Sequence, residues 1–256
     1  MVLKYSISFI CALFLSALID ANAASVVVAS HVGSTDPLAE GWTQRGTGLS
    51  IIEGPINDGG VSAWSIDDNS SIGGSARQYH FAPTPEEVNR AELYGWTLRG
   101  ELRVVDVPDQ VGFSVSMAYG NDNFQRFEVK FGSDSSGDPI VALHPFDSAP
   151  EDFGPSYTVT GGKDGYHRYE LIYDPLVGNA DLFVNGIEVI SDYTGAIDTL
   201  TGFEPYVAWG ARSSPDIGHG NYARIEFLTA VPLPPAFLLF GSGVLGLIVV
   251  ARRKKA

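Results

Sequence analysis

Paired carboxylates are the first place to look for chemistry in a chain with 30 acidic residues. Hydrolysis of a glycosidic bond needs two of them about 5–9.5 Å apart. Glu188 with Asp192, Asp67 with Asp68, and Glu151 with Asp152 are near neighbours. None has a spacing that would aim both acids into one cleft, and in so acidic a chain each reads as a solvated surface. The five histidines are His31, His80, His144, His167 and His219. No His-x-x-His or His-Glu-x-x-His spacing occurs among them, so no zinc site is expected. His167 shares a strand face with Tyr169 and Leu171 and reads as packing at a core edge. Asp216-Ile-Gly-His219 could be half of a triad, but no Gly-x-Ser-x-Gly elbow accompanies it. A loop histidine is the simpler reading. Asp58, Asp67, Asp68, Asn69, Asp122 and Asn123 are oxygen donors in turns, as a calcium ion needs. They lack the Asp-x-Asp-x-Asp-Gly loop, and Asp and Asn favour turns for local reasons. Sugar stacking needs exposed aromatic rings. Trp42, Trp64, Trp96 and Trp209 all lie in strand patterns and read as core. Trp209, close to residues 213–220, is the tryptophan best placed to stack on a ligand.

The elements that would position these groups are strands. From Ser25 onward, short β-branched or alternating runs recur with turn signals every 8–12 residues. Strands are expected at 25–30, 49–53, 62–66, 78–81, 96–106, 111–119, 124–131, 140–144, 166–173, 180–184, 187–190, 206–211 and 221–228. Trp96, Leu98, Gly100, Leu102 and Val104 form one face of the clearest strand, and Thr97, Arg99, Glu101 and Arg103 the wet one. Phe127, Val129 and Phe131 face inward, with Glu128 and Lys130 outward. Residues 96–131 read as a three-stranded meander. Asn57-Asp58-Gly59-Gly60 and 133–138 read as turns, and Asn185-Gly186 is the strongest hairpin signal. One helix is expected from Pro85 to about Leu93, capped by Thr84 and ended by Gly95. The architecture expected is an all-β, two-sheet antiparallel sandwich with one short helix.

The two ends have a different character. Lys4, the apolar run 7–19 and Ala21-Asn22-Ala23 form a secretory signal peptide pattern, with cleavage expected after Ala23. Cys11, the one cysteine, would leave with it, so the exported protein would have no disulfide. At the other end, Val231-Pro232-Leu233-Pro234-Pro235 precedes an uncharged run at 236–251 and the cluster Arg252-Arg253-Lys254-Lys255. Such a run spans roughly 24 Å as a helix, slightly short of the roughly 30 Å hydrocarbon core. The basic cluster places that end in the cytoplasm. A C-terminal transmembrane helix is therefore expected, with the rest of the chain outside. The competing reading, a buried core helix, suits neither the basic terminus nor Gly241, Gly243 and Gly246. Three domains follow: residues 1–23, 24–230 and 231–256.

The whole chain carries a formal charge of −14. Lys4 and Asp20 cancel, and the four basic residues of the tail leave residues 24–230 at −18. That excludes nucleic acid as an expected partner and disfavours an anionic membrane surface.

The run 166–187, with Tyr173-Asp174-Pro175, a glycine turn and Leu182-Phe-Val-Asn-Gly186, resembles laminin-G-like, concanavalin A-like jelly rolls. Val207-Ala-Trp-Gly-Ala211 and 221–227 look like the last strands of the same sandwich. The resemblance implies a jelly-roll fold and, in many such domains, one structural Ca²⁺ at a loop edge; no residue is assigned to it here. Glycosidases of that fold carry Glu-x-Asp-x-x-Glu on a strand, and this sequence has no such run. The C-terminus resembles the sorting tail of PEP-CTERM proteins, which Gram-negative bacteria export and an exosortase processes. Val231, Pro232, Leu233 and Pro234 occupy the motif position, with Leu233 where the family has its naming glutamate. Arg252, Arg253, Lys254 and Lys255 close the tail. The resemblance implies an exosortase-type protease and the membrane as partners, and an exopolysaccharide matrix as the setting.

The function expected is that of an exported, non-enzymatic cell-surface or matrix protein with a structural or carbohydrate-binding sandwich. The alternatives are a glycan hydrolase or lyase with a degenerate motif, and an anchored structural protein without ligand. No catalytic, ligand-binding or metal-ligating residue and no cofactor is assigned.

Overall fold

The computed structural model describes residues 24–46, 51–69, 77–106, 115–121, 125–143, 154–197, 204–211 and 218–231. The chain divides into two units, 1–25 with 230–256, and Val26–Thr229. Of the first, Ala21, Ala23, Pro232, Leu233, Pro234 and Arg252 to Lys255 lie outside the described residues, as do the expected signal peptide and C-terminal helix. Among the described residues no helix is long and apolar enough to cross a membrane. Val231 is described, and its N–H donates to the Ala24 carbonyl at 2.7 Å.

The second unit is a sandwich of two eight-stranded sheets. The first sheet contains β3 (Ile51–Asp58), β4 (Val61–Asp68), β6 (Trp96–Asp106), β11 (His167–Asp174), β12 (Asn179–Val184), β13 (Ile187–Tyr193) and β16 (Gly218–Ala230). Their order is β13-β12-β11-β6-β16-β4-β3, with β1 (Ser25–Val32) also on β16. The second contains β2 (Thr43–Arg45), β5 (Arg77–Phe81), β7 (Val115–Gly120), β8 (Gln125–Ser133), β9 (Pro139–Leu143), β10 (Ser156–Thr158) and β15 (Tyr206–Ala211). Its order is β10-β9-β8-β7-β15-β5-β2, with β14 (Ala196–Ile197) on β8. The chain passes repeatedly from sheet to sheet, as a jelly roll does, and the expected all-β sandwich is what forms.

The expected meander does not form. β6 lies in the first sheet between β11 and β16, while β7 and β8 pair in the second. All three strands have an apolar face, and that pattern is satisfied equally by pairing side by side or by facing across a core. Here β6 and β7 face each other: a Cβ on Gly100 would lie 2.8 Å from Met117 Sδ. Leu98, Leu102, Met117, Phe127, Val129 and Phe131 are fully buried between the sheets. Glu128 was expected outside and is instead 2 % exposed. Phe127, Glu128 and Val129 are buried in succession, so both faces of β8 are covered there, and the neighbouring strand Val115–Gly120 is buried at every position.

Elements whose signals lie within a few residues form as the sequence expects. The helix α1 runs Pro85–Tyr94, and the Thr84 hydroxyl and Glu87 carboxylate form a reciprocal capping box. Asn185 and Gly186 take φ of 53° and 81°, the left-handed pair that a two-residue hairpin turn requires. Asp134 Oδ1 accepts from the N–H groups of Ser136 and Asp138 at 2.8 and 2.9 Å, closing the 133–138 turn.

Candidate functional site

Period-two alternation sorts β2, β5 and β15 into an inner and an outer face. Thr43 stands opposite His80, and His80 opposite Ala208. Thr43, Arg45, Gln78, His80, Tyr206 and Ala208 therefore share the outer face of the second sheet. Between them lies a cleft of about 170 Å³. Thr43, Arg45, His80 and Phe81 line one side, and Glu204, Pro205 and Tyr206 the other. The Tyr206 ring stacks on His80, with centroids 5.2 Å apart and planes 26° apart. Gly120, opposite Tyr206 on β7, makes room for that ring: a Cβ there would meet Tyr206 Cε1 at 2.5 Å. The Thr43 hydroxyl donates to the His80 carbonyl at 2.9 Å. Burial, with help from the Arg45 charge, lowers the His80 pKa to about 4, so its ring is neutral at pH 7. Arg45 and Glu204 are exposed, and neither has an ion-pair partner among the described residues. The cleft offers an aromatic wall, one donor-only group and one acceptor-only group.

A second polar cluster covers the outer face of the first sheet. Arg103 Nη1 donates to both Asp58 oxygens at 2.8 and 3.0 Å. Tyr166 and Asn221 donate to Asp58 Oδ2 at 3.0 and 2.9 Å. Burial pushes the Asp58 carboxyl up, but the hydrogen bonds from Asn221, Tyr166 and Arg103 outweigh it and hold the pKa below the usual carboxylate range. A carboxylate only accepts, so the Asn221 amide is oriented with its NH₂ toward Asp58. Its Oδ1 then faces His219 Nε2 at 3.1 Å. An amide oxygen has no proton to give and would otherwise meet a bare nitrogen, so Nε2 carries the hydrogen. Ser65 Oγ lies 2.8 Å from the same Nε2. It accepts there, and the ring cannot take the serine proton through that nitrogen. The closest serine–histidine pair in the described sheets is thus set as a structural hydrogen bond.

The residues singled out from sequence scatter. Trp209 is 0 % exposed, between His31 at 4.4 Å and Tyr79 at 4.8 Å. It is core, because β15 alternation turns it inward and Tyr206 outward. Trp42, Trp64 and Trp96 are likewise buried. His167 sits at a core edge as expected, its Nε2 2.8 Å from the Gly162 carbonyl. Among the turn oxygens, Asp58 is committed to Arg103 and Asp67 accepts from Asn69 at 2.8 Å. Asp122, Asn123, His144 and Asp216 lie outside the described residues. Among the described residues no three His, Cys, Asp or Glu side chains converge as metal ligands. Sequence reasoning missed Arg45, His80, Glu204 and Tyr206. They come from three separated segments, and only the partner strands bring them together.

No protein-family model and no curated protein matches this chain. Among solved structures, a carbohydrate esterase from the Shiga toxin-encoding bacteriophage phi24B is similar with TM-score 0.58 and 12% identity. The match covers 81% of this chain and 100% of that one. The CBM2 module of the evolved Dit protein of Lactobacillus casei BL23 phage J-1 is similar with TM-score 0.50 and 12% identity, over 83% and 100% of the two chains. The class that fold and comparison define is the jelly-roll-like antiparallel β-sandwich. At such identity the likeness extends to the fold alone.

Proposed function

We propose that this chain is an exported cell-surface or extracellular-matrix protein whose sandwich binds carbohydrate. The observation that carries the reading is the cleft between β2, β5 and β15. Aromatic surface beside a guanidinium and a carboxylate that make no ion pair among the described residues is what a sugar ring requires, with its apolar C–H face and polar rim. The two similar phage structures, a carbohydrate esterase and a CBM2 module, support it. Export rests on the signal-like residues 1–23, with cleavage after Ala23. Sorting rests on the PEP-CTERM-like residues 231–256, spanning the inner membrane as a helix until an exosortase-type protease removes them. An exopolysaccharide is the partner this address supplies.

The protein is read as a binder and not as a catalyst. The hydrogen on His219 Nε2 supports this, since it leaves Ser65 without a base at that nitrogen. The test is a glycan array probed with the full chain in a detergent that has no sugar headgroup, alongside incubation with labelled polysaccharides. Retention of glycans without product release is expected. Release of cleaved product would replace the binding reading with the enzymatic one.

A further inference from the structure

The turn between β11 and β12 is apolar and uncharged at its tip. We propose that this tip, with the C-terminal end of α1 beside it, docks on the lipid surface of the membrane that the tail enters. The inference rests on reading 236–251 as a membrane-spanning run and on no part of the carbohydrate reading.

Residues 175–178 are Pro-Leu-Val-Gly. Asp174 Oδ1 accepts from the Leu176 N–H at 2.8 Å, and Gly178 takes a φ of 77°. Asp, Pro and Gly serve the turn's geometry, and nothing in that geometry calls for two branched apolar side chains between them. Yet Leu176 is 92 % exposed and Val177 67 %. The apolar surface continues past the turn. A Cβ on Gly95 would meet the Tyr173 carbonyl oxygen at 2.7 Å and Pro175 Cδ at 3.2 Å, so the end of α1 lies against the turn. There Leu93 is 58 % exposed and Tyr94 46 %. Aliphatic side chains flanked by a tyrosine suit the boundary between headgroups and acyl chains.

The path of the chain says what covers this patch. Tyr173 stands opposite Trp96, and Trp96 opposite Thr229. Tyr173 and Thr229 are therefore two strand spacings apart, about 10 Å. Residues 230–235 link Thr229 to the uncharged run, and fully extended they reach roughly 20 Å. A bilayer entered at Ala236 lies within that reach of Thr229. Ala24 accepts from the Val231 N–H, so the two apolar terminal runs join the chain side by side. A second copy or another protein would have to find the patch by diffusion, whereas the tail holds lipid near it at high effective concentration.

Charge decides the kind of contact. Residues 175–180 carry none, and residues 24–230 together carry −18. Attraction to anionic headgroups is unavailable, and what remains is apolar side chains among acyl chains. So few side chains hold a domain to lipid only weakly. The contact lasts while the tail is in place and ends with its removal.

The test uses the full chain with Cys11→Ser, which removes its one cysteine. Leu176→Cys, Ile187→Cys and Val244→Cys are each labelled with a polarity-sensitive fluorophore and reconstituted in vesicles of phosphatidylcholine and phosphatidylethanolamine with brominated acyl chains. Ile187 follows the turn at the opposite end of β12 from Leu176, about 20 Å away. Bromine is expected to quench the labels at 244 and 176 and to spare the one at 187, equally at low and high salt. Phosphatidylglycerol is not expected to increase the quenching at 176. Val177→Asp is expected to reduce it about threefold or more, with the unfolding midpoint unchanged because the side chain is exposed. Quenching at 244 without quenching at 176, or equal quenching at 176 and 187, overturns this inference and leaves the tail reading standing. So does quenching at 176 that requires anionic lipid or that Val177→Asp leaves intact. A label at 176 that is blue-shifted but unquenched means that a protein chain covers the patch, and overturns the lipid assignment. If the label at 244 is not quenched, the tail reading falls, and this inference with it.

Discussion

Tyr206 and His80 stack at 5.2 Å across neighbouring strands although they are not register partners. Ala208, two residues on, is the residue opposite His80. Diagonal pairs on one face of a sheet are within reach of aromatic rings, and the small Ala208 leaves the space between them open. The same alternation puts Trp209 on the other side of the sheet, beneath His31 and Tyr79. Two aromatic residues three positions apart therefore have unrelated tasks.

Substitution separates those tasks. Trp209→Ala is expected to cost about 3–5 kcal/mol of stability, the usual range for a large buried aromatic. Tyr206→Ala is expected to abolish glycan retention at a cost of about 1 kcal/mol or less. Urea unfolding and array binding on both variants read the two effects. If Tyr206→Ala retains glycans as wild type does, the cleft is not the binding site.

The neutral state of His80 makes stability depend on pH. Its folded pKa of about 4 lies below the ordinary histidine value of 6.5, so the unfolded chain binds more protons between those values. Stability therefore rises with pH across that window. The contribution is complete above pH 6.5 and is lost as pH falls toward 4. Arg45 and Gln78 face the ring along with Tyr206. Between pH 7 and 4.5 wild type is expected to lose about 2 kcal/mol more than His80→Gln. Parallel unfolding curves for the two proteins would contradict the buried neutral ring.

Asp58 orients Asn221, and Asn221 orients His219. Nitrogen-15 NMR is expected to show the Nε2–H tautomer of His219 at pH 7. Asp58→Asn removes the charge that Arg103 and Tyr166 both meet, and is expected to cost about 1–3 kcal/mol by chemical unfolding. An Nδ1–H tautomer would return Ser65 as a candidate nucleophile.

Two glycines test the packing of β15 against a simple turn. Gly210 has φ of 121°, and a Cβ there would meet the Arg77 carbonyl oxygen at 2.4 Å. Gly178 has φ of 77° and open space around it. Gly178→Ala is expected to cost about 1–2 kcal/mol, the left-handed penalty alone. Gly210→Ala is expected to cost about 3 kcal/mol or more, since backbone must move. Equal unfolding midpoints would contradict the close approach of β5 and β15.

Deleting Arg252 to Lys255 tests the tail. The truncated chain is expected to be mislocalised and to keep the mass of the tail that remains, from residue 231 to 251. The intact mass of protein recovered from the cell surface decides it. Normal placement at the normal processed mass would show that the tail is not a sorting signal.

What the sequence determined by itself was local in origin. Thr84 and Glu87 mark a helix start because both partners of the capping box lie within four residues. Asn185-Gly186 marks a hairpin because the turn's positive φ angles depend on those two residues alone. Alternation in Trp96–Asp106 marks a half-buried strand because successive side chains point to opposite faces. Which sheet a strand joins is a different matter. An apolar face says that a strand is covered, without saying whether its neighbour lies beside it or across the core, and so β6 was misplaced in a meander. Glu128 looked exposed for the same reason, since alternation reports one covered face and is silent on a second. The cleft depended entirely on the tertiary structure: Arg45, His80 and Tyr206 share no periodic signal and meet only through the β2–β5–β15 pairing. Hydrogen bonds between distant strands decide that pairing, and no residue's immediate neighbours encode it.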